Sequence, residues 1–139
     1  MMSNKKMAVK HFETVRIFLE EDIKVSNNDW RPYSSLGIAY AGLGNKSKAI
    51  EAGRKAIDIL DINIDVHEGF YAEMDMAKTL LLVGEYEEVL SRLDFLLNRD
   101  GTISIELLKI DPFWNPVREM DKFKEIISNP KYQIDLSEN

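Results

Sequence analysis

The chain has 139 residues, a formal net charge of −6, 45% hydrophobic and 30% charged residues, and no cysteine. That length suits one domain, and the balance of apolar and charged residues is that of a folding chain rather than a disordered one. The acidic balance argues against nucleic acid, whose phosphates call for a positive patch; no apolar run approaches the roughly 18 residues of a membrane span; and the missing thiols remove disulfides, thiolate metal sites and cysteine nucleophiles.

The first predicted element is a helix over residues 5–25, with Met7, Phe12, Val15, Phe18, Leu19 and Ile23 as its apolar stripe. The Lys5-Lys6 pair at its start reads as a solvated terminus. The stripe has no helix before it to pack on, so it reads as the second half of a hairpin whose first half lies upstream or is missing. On that reading the chain is the tail of a longer protein. The alternative is a homodimer in which Phe12, Val15, Phe18 and Leu19 meet the same edge of a second copy.

A helical hairpin is predicted over residues 30–60. Asp29 stands at the N-cap with Pro32 in the first turn, and Leu43-Gly44 marks the reversal before a second helix that opens Asn45-Lys46-Ser47-Lys48. Reversing direction within about three residues needs a left-handed backbone conformation that glycine adopts cheaply, so Gly44 is expected at positive φ. Gly37 and Ala49 are small where the two helices would cross closely, with Leu36, Tyr40 and Ile57 filling the space beside them. Gly53, inside the second helix, costs about 1 kcal/mol relative to alanine unless something packs against it.

After a linker over 61–64, a second hairpin is predicted over 65–98. Asp65 and Glu68 have the spacing of a capping box, and Val83-Gly84 repeats Leu43-Gly44 at an offset of 40 residues. A loop from Asn98 to Thr102 leads into a cap over 103–128. Pro112 and Pro116 with Phe113 and Trp114 between them predict a fixed bend that lays one of the two aromatics on the end of the stack, followed by a short helix from Asp121 to Ser128 and a tail over 129–139. The single domain is therefore 1–128. Trp114 reads as core, while Trp30, at a helix start, is left open between core and surface.

The spacing Tyr33-x2-Leu36-Gly37-x2-Tyr40, then Ala49-x3-Gly53-x2-Ala56, resembles the tetratricopeptide repeat. It departs from that pattern at Tyr33, where a tryptophan is usual, at Gly53 in place of the second aromatic, and at Asp61 where proline often ends the unit. The second unit, Glu73-x2-Met76-Ala77-x2-Leu80 and Val89-x3-Leu93-x2-Leu96, keeps only the apolar periodicity. The resemblance implies an all-α fold of antiparallel helical hairpins in a right-handed superhelical stack that binds protein. The run Ile110-Asp111-Pro112, Trp114, Pro116-Val117-Arg118, Phe123 and Ile126-Ile127 also resembles the closing segment of bacterial multidomain signalling proteins, in which a tetratricopeptide array follows a kinase, cyclase, TolB-like or winged-helix effector. With the matching stretches before it, the resemblance covers Phe12 to Ile127 and implies a regulatory or docking end.

Catalytic readings find little to stand on. His67-Glu68 opens like a zinc-protease motif, but Tyr71 occupies the place of the second histidine, so no metal or cofactor is expected. Glu68, Glu73 and Asp75 are spaced onto different helical faces, Gly42-x-Gly44 lacks the strand, lysine and hydroxyl of a phosphate loop, and Ser34, Ser35 and Ser91 have no neighbouring histidine. An enzyme is not expected. The expectation is a protein-interaction module in the cytoplasm, the default compartment. Alignment of the two units places Arg31, Ser34, Ile38, Tyr71, Met74 and Lys78 on the inner wall, where they do not supply the asparagines and basic residues of a carboxylate clamp. That wall is a mixed groove for an extended peptide or a partner helix.

Overall fold

Eight α-helices follow one another in the described residues, 3–99 and 103–133 of the computed structural model, and every regular element there is helical. They are α1 (Asn4–Val25), α2 (Trp30–Gly42), α3 (Lys46–Ile59), α4 (Val66–Leu82), α5 (Tyr86–Leu97), α6 (Ile105–Ile110), α7 (Asn115–Arg118) and α8 (Asp121–Ser128). Single 3-10 turns at Pro112–Trp114 and Pro130–Tyr132 flank the last two. The predicted Asn98 to Thr102 loop lies partly outside the described residues, and so does the end of the tail, 134–139.

The two hairpin turns are built alike. Gly44 and Gly84 have φ of 76° and 82°. In each, the glycine N–H and the next N–H bond back to two helical carbonyls: Gly44 to Ala41 at 3.0 Å and Asn45 to Tyr40 at 2.9 Å, Gly84 to Leu81 at 3.2 Å and Glu85 to Leu80 at 2.9 Å. This pairing satisfies carbonyls that a helix end leaves orphaned, and it needs the left-handed glycine to aim the second N–H backwards.

Helices α1, α2, α3, α4 and α6 are each capped by a side chain immediately before them. The Asp29 carboxylate accepts from the Arg31 N–H at 3.0 Å. Asp65 Oδ1 accepts from the N–H groups of His67 and Glu68, both at 3.0 Å. The Asp65 N–H donates to the Asp61 carbonyl at 3.0 Å. That carbonyl takes the place a Glu68 side chain would fill in a reciprocal capping box.

Helix α2 lies at the centre of the N-terminal half, packed against α1, α3 and α4, and α4 in turn packs against α3 and α5. A Cβ at Gly37 would stand 3.2 Å from both the Ala49 carbonyl oxygen and Thr79 Oγ1, so this glycine sits where α2 meets α3 and α4 at once. Gly53 faces the Met76 sulfur, which fills the space a side chain would take and offsets its intrinsic helical cost. From Met76 onward the core is continuous: Leu80, Leu90 and Leu93 of the second hairpin pack with Leu108, Trp114, Val117 and Phe123 of the C-terminal segment. Trp114 is the buried aromatic of the proline bend, and Phe113 stands half-buried beside it, edge to face at 5.3 Å. Trp30 is half-buried.

Three expectations change on folding. The stripe on α1 divides: Phe12, Val15, Leu19 and Ile23 are half-buried, with the Phe12 ring seated over Gly42 of α2, whereas Met7 and Phe18 are 55% and 70% exposed. Phe12, Val15 and Leu19 are thus engaged within the chain, and of the predicted dimer set only Phe18 is free on the surface. The 61–64 linker is more than a spacer, because Ile62 is buried against the first turn of α4 at Gly69. The tail begins later than position 129, since the Tyr132 hydroxyl donates to Asp94 Oδ1 of α5 at 2.8 Å.

The linker contact and the Gly53 contact look alike but differ in what must yield. A Cβ at position 69 meets the Ile62 Cα at 2.5 Å, which is backbone, whereas one at position 53 meets the flexible end of Met76. Gly69→Ala is expected to destabilise by about 2 kcal/mol as the linker is pushed off α4, and Gly53→Ala to stay within about 1 kcal/mol because helix propensity and overpacking oppose each other. Chemical denaturation of the two variants checks the contrast.

Candidate functional site

The six inner-wall residues do not form one surface. Ser34 is buried at 3% exposure, and its hydroxyl donates to Asp75 Oδ2 at 2.8 Å, so it pins α2 to α4 instead of facing a partner. The expected place of Ser34 on the wall is corrected accordingly: a residue this small at a close helix crossing is covered by the neighbouring helix. Arg31 is exposed at the start of α2 and folds back on its own cap, with its guanidinium 2.6 Å and 2.9 Å from the Asp29 carboxylate. That contact holds Asp29 below the usual carboxylate range. Ile38 is half-buried. Tyr71 is half-exposed and stacks edge-on with Phe70 and His67.

Met74 and Lys78 do come together, in a cleft of about 550 Å³ between α4 and the C-terminal segment. Phe70, Met74 and Lys78 form one wall, spaced four residues apart along α4. Ile103, Leu107 and Leu108, with Trp114 and Asp111, form the other. The walls are mostly apolar, Leu107 being 60% exposed at the mouth. Lys78 stands on one side, 3.7 Å from Asp75, and Asp111 on the other. Phe70 is absent from the expected wall although its spacing of four from Met74 and Lys78 was there to read. The α6 residues could not be read, since they approach α4 only through the fold of the cap.

A larger hollow of about 920 Å³ opens between α1, α2 and α3, with Ile23, Tyr33, Leu36 and Tyr40 among its lining. Its rim mixes both signs along α3 through Lys48, Glu51, Arg54, Lys55 and Asp58, a solvated face. At its back the Tyr40 hydroxyl donates to Glu20 Oε1 at 2.5 Å, the hydrogen bond that ties α1 to α2. Arg16 grips the same carboxylate at 2.8 Å. These bonds, Tyr40's first, hold Glu20 below its ordinary range, while burial and the bond to Glu20 push Tyr40 up to about 12.

Among the described residues no helix is long and apolar enough to cross a membrane. In comparisons with known proteins no family model matches the chain, and neither curated proteins nor solved structures give a significant match.

The Tyr40–Glu20 bond has a pH window on each side. Glu20 is depressed on folding, so its contribution is present above about 4.5, its ordinary value, and is lost as pH falls through the folded value. Tyr40 is raised, so its contribution is whole below its ordinary 10.0 and is lost as pH rises toward about 12. Tyr40→Phe is expected to destabilise by about 1 kcal/mol at neutral pH. That difference should shrink at both extremes when wild type and variant are compared by thermal unfolding across the range.

Proposed function

We propose that this chain is a protein-interaction module of the tetratricopeptide kind, which holds an apolar-anchored peptide segment in the cleft between α4 and the C-terminal cap and performs no chemistry of its own. The observation that carries the reading is the cleft's composition. Two apolar walls from different parts of the chain converge on a space large enough for several side chains, with Lys78 and Asp111 on opposite sides. Met74 is a flexible, polarizable contact that adapts to more than one apolar anchor. The two charges of opposite sign give a bound segment a preferred direction.

The repetition of the hairpin supports the same reading. Both units reverse on the same glycine-centred turn, and their first helices, α2 and α4, pack against each other. A right-handed superhelical stack extends this arrangement, and the likeness of the cap to the closing segments of bacterial signalling proteins supports a regulatory docking role.

Selection of peptides from a random displayed library against the purified chain, followed by titration of the selected sequences, tests the proposal. The expected peptides share two or more apolar anchors, and Leu107→Asp and Lys78→Glu weaken them at least roughly tenfold, the scale of one lost contact in a small interface. Phe18→Asp, on the far helix, leaves their binding unchanged. Enrichment of no sequence, or peptides that bind the Leu107→Asp variant as tightly as the wild type, rejects the cleft as the binding site.

A further inference from the structure

We infer that the outer face of α1 is a self-recognition surface, on which two copies of this chain pair through antiparallel α1 helices. No residue of α1 is buried, although the helix is 22 residues long. Its half-buried residues Phe12, Val15, Leu19 and Ile23 point to α2. A second strip lies roughly a third of a turn away. Met7, Thr14, Phe18 and Val25 fall within about 40° of arc at 100° per residue, and all four are exposed, Phe18 at 70% and Val25 at 89%. His11, Glu21 and Asp22 fill the intervening positions, so the spacing is that of a helix seam with steps of three and four.

What covers the strip is settled by charge. The first half of α1 carries Lys5, Lys6 and Lys10 against Glu13, and the second half carries Glu20, Glu21 and Asp22 against Arg16 and Lys24. The helix is therefore basic at one end and acidic at the other, and an antiparallel copy of itself is its complement. Antiparallel pairing about a two-fold axis near residue 16 sets Met7 of one copy against Val25 of the other and Thr14 against Phe18. On one flank Lys10 faces Glu21, and on the other flank His11 faces Asp22, each pair occurring twice by symmetry. Parallel pairing would instead bring opposite flanks together and set the Glu21 carboxylate of one copy against the Asp22 carboxylate of the other. One helix face of about 33 Å length falls at the small end of interface sizes, so the dimer is expected to be reversible, with dissociation in the range of tens of micromolar. This face is separate from the α4 cleft, so both can be occupied together.

Sedimentation equilibrium from about 1 μM to 1 mM, bracketing that affinity, is the test. The mass is expected to rise from 16.0 kDa toward twice that value. Phe18→Asp, at an exposed position, should abolish the rise while circular dichroism stays unchanged. Lys10→Glu and Glu21→Lys should each weaken association roughly tenfold, because each replaces two attractive surface pairs by two repulsive ones. An equimolar mixture of those two variants should recover wild-type association, since in the mixed dimer an acidic side chain again faces a basic one at both contacts between positions 10 and 21. A mass that stays at 16.0 kDa throughout, a dimer indifferent to Phe18→Asp, or a mixture that associates no better than its components overturns the proposal.

Discussion

The close approach of α2 to two helices at once is the constraint on which the rest of the molecule depends. At Gly37 the backbone of α2 comes so near the Ala49 carbonyl and the Thr79 side chain that even a methyl group would crowd both. Because of that approach, Ala39, Ala49, Ala52 and Ala56 are buried and the Ser34 hydroxyl can reach Asp75. Small residues bring the helix axes together, and the large ones gather where the axes diverge. The direction of α4 is set there, and α4 carries one wall of the cleft.

The C-terminal half is held differently, by large side chains. Leu80, Leu90, Leu93, Leu108, Trp114 and Phe123 form one body, so the cap completes the second hairpin's core instead of sitting on it as an accessory. A buried carboxylate is tolerated inside this half. Glu73, 6% exposed, pairs with Arg92 at 2.5 Å, and Arg92 also reaches Glu88 at 3.2 Å. Such a network adds little net stability against an apolar substitute, but losing one partner would leave an unpaired buried charge. It therefore fixes how α4 and α5 are set against each other. Since the cap closes on α4 along Phe70, Met74 and Lys78, the packing that stabilises the second hairpin also shapes the cleft.

Most local structure was legible in the residues because its causes are local. Asp29 and Asp65 cap helices through N–H groups two or three residues on, and Gly44 and Gly84 turn the chain through bonds spanning six residues. The proline bend required one buried aromatic, and Trp114, read as core, takes that place while Phe113 stands half-buried beside it. The candidate site was legible only in part. Met74 and Lys78 were placed on a wall, Ser34 was placed there too, and the opposite wall was not seen.

By itself the sequence determined an all-helical chain, the two glycine reversals at a 40-residue offset, and which helices are amphipathic, because each follows from backbone chemistry and side-chain period within a few turns. Only the tertiary structure decided which face of α1 is engaged and which is free, that Ile62 locks the linker onto Gly69, and that α6 approaches α4 closely enough to make a cleft. Those outcomes turn on distances between segments far apart in the chain. Close packing sets such distances globally, and a one-dimensional pattern of apolar and polar residues does not encode them.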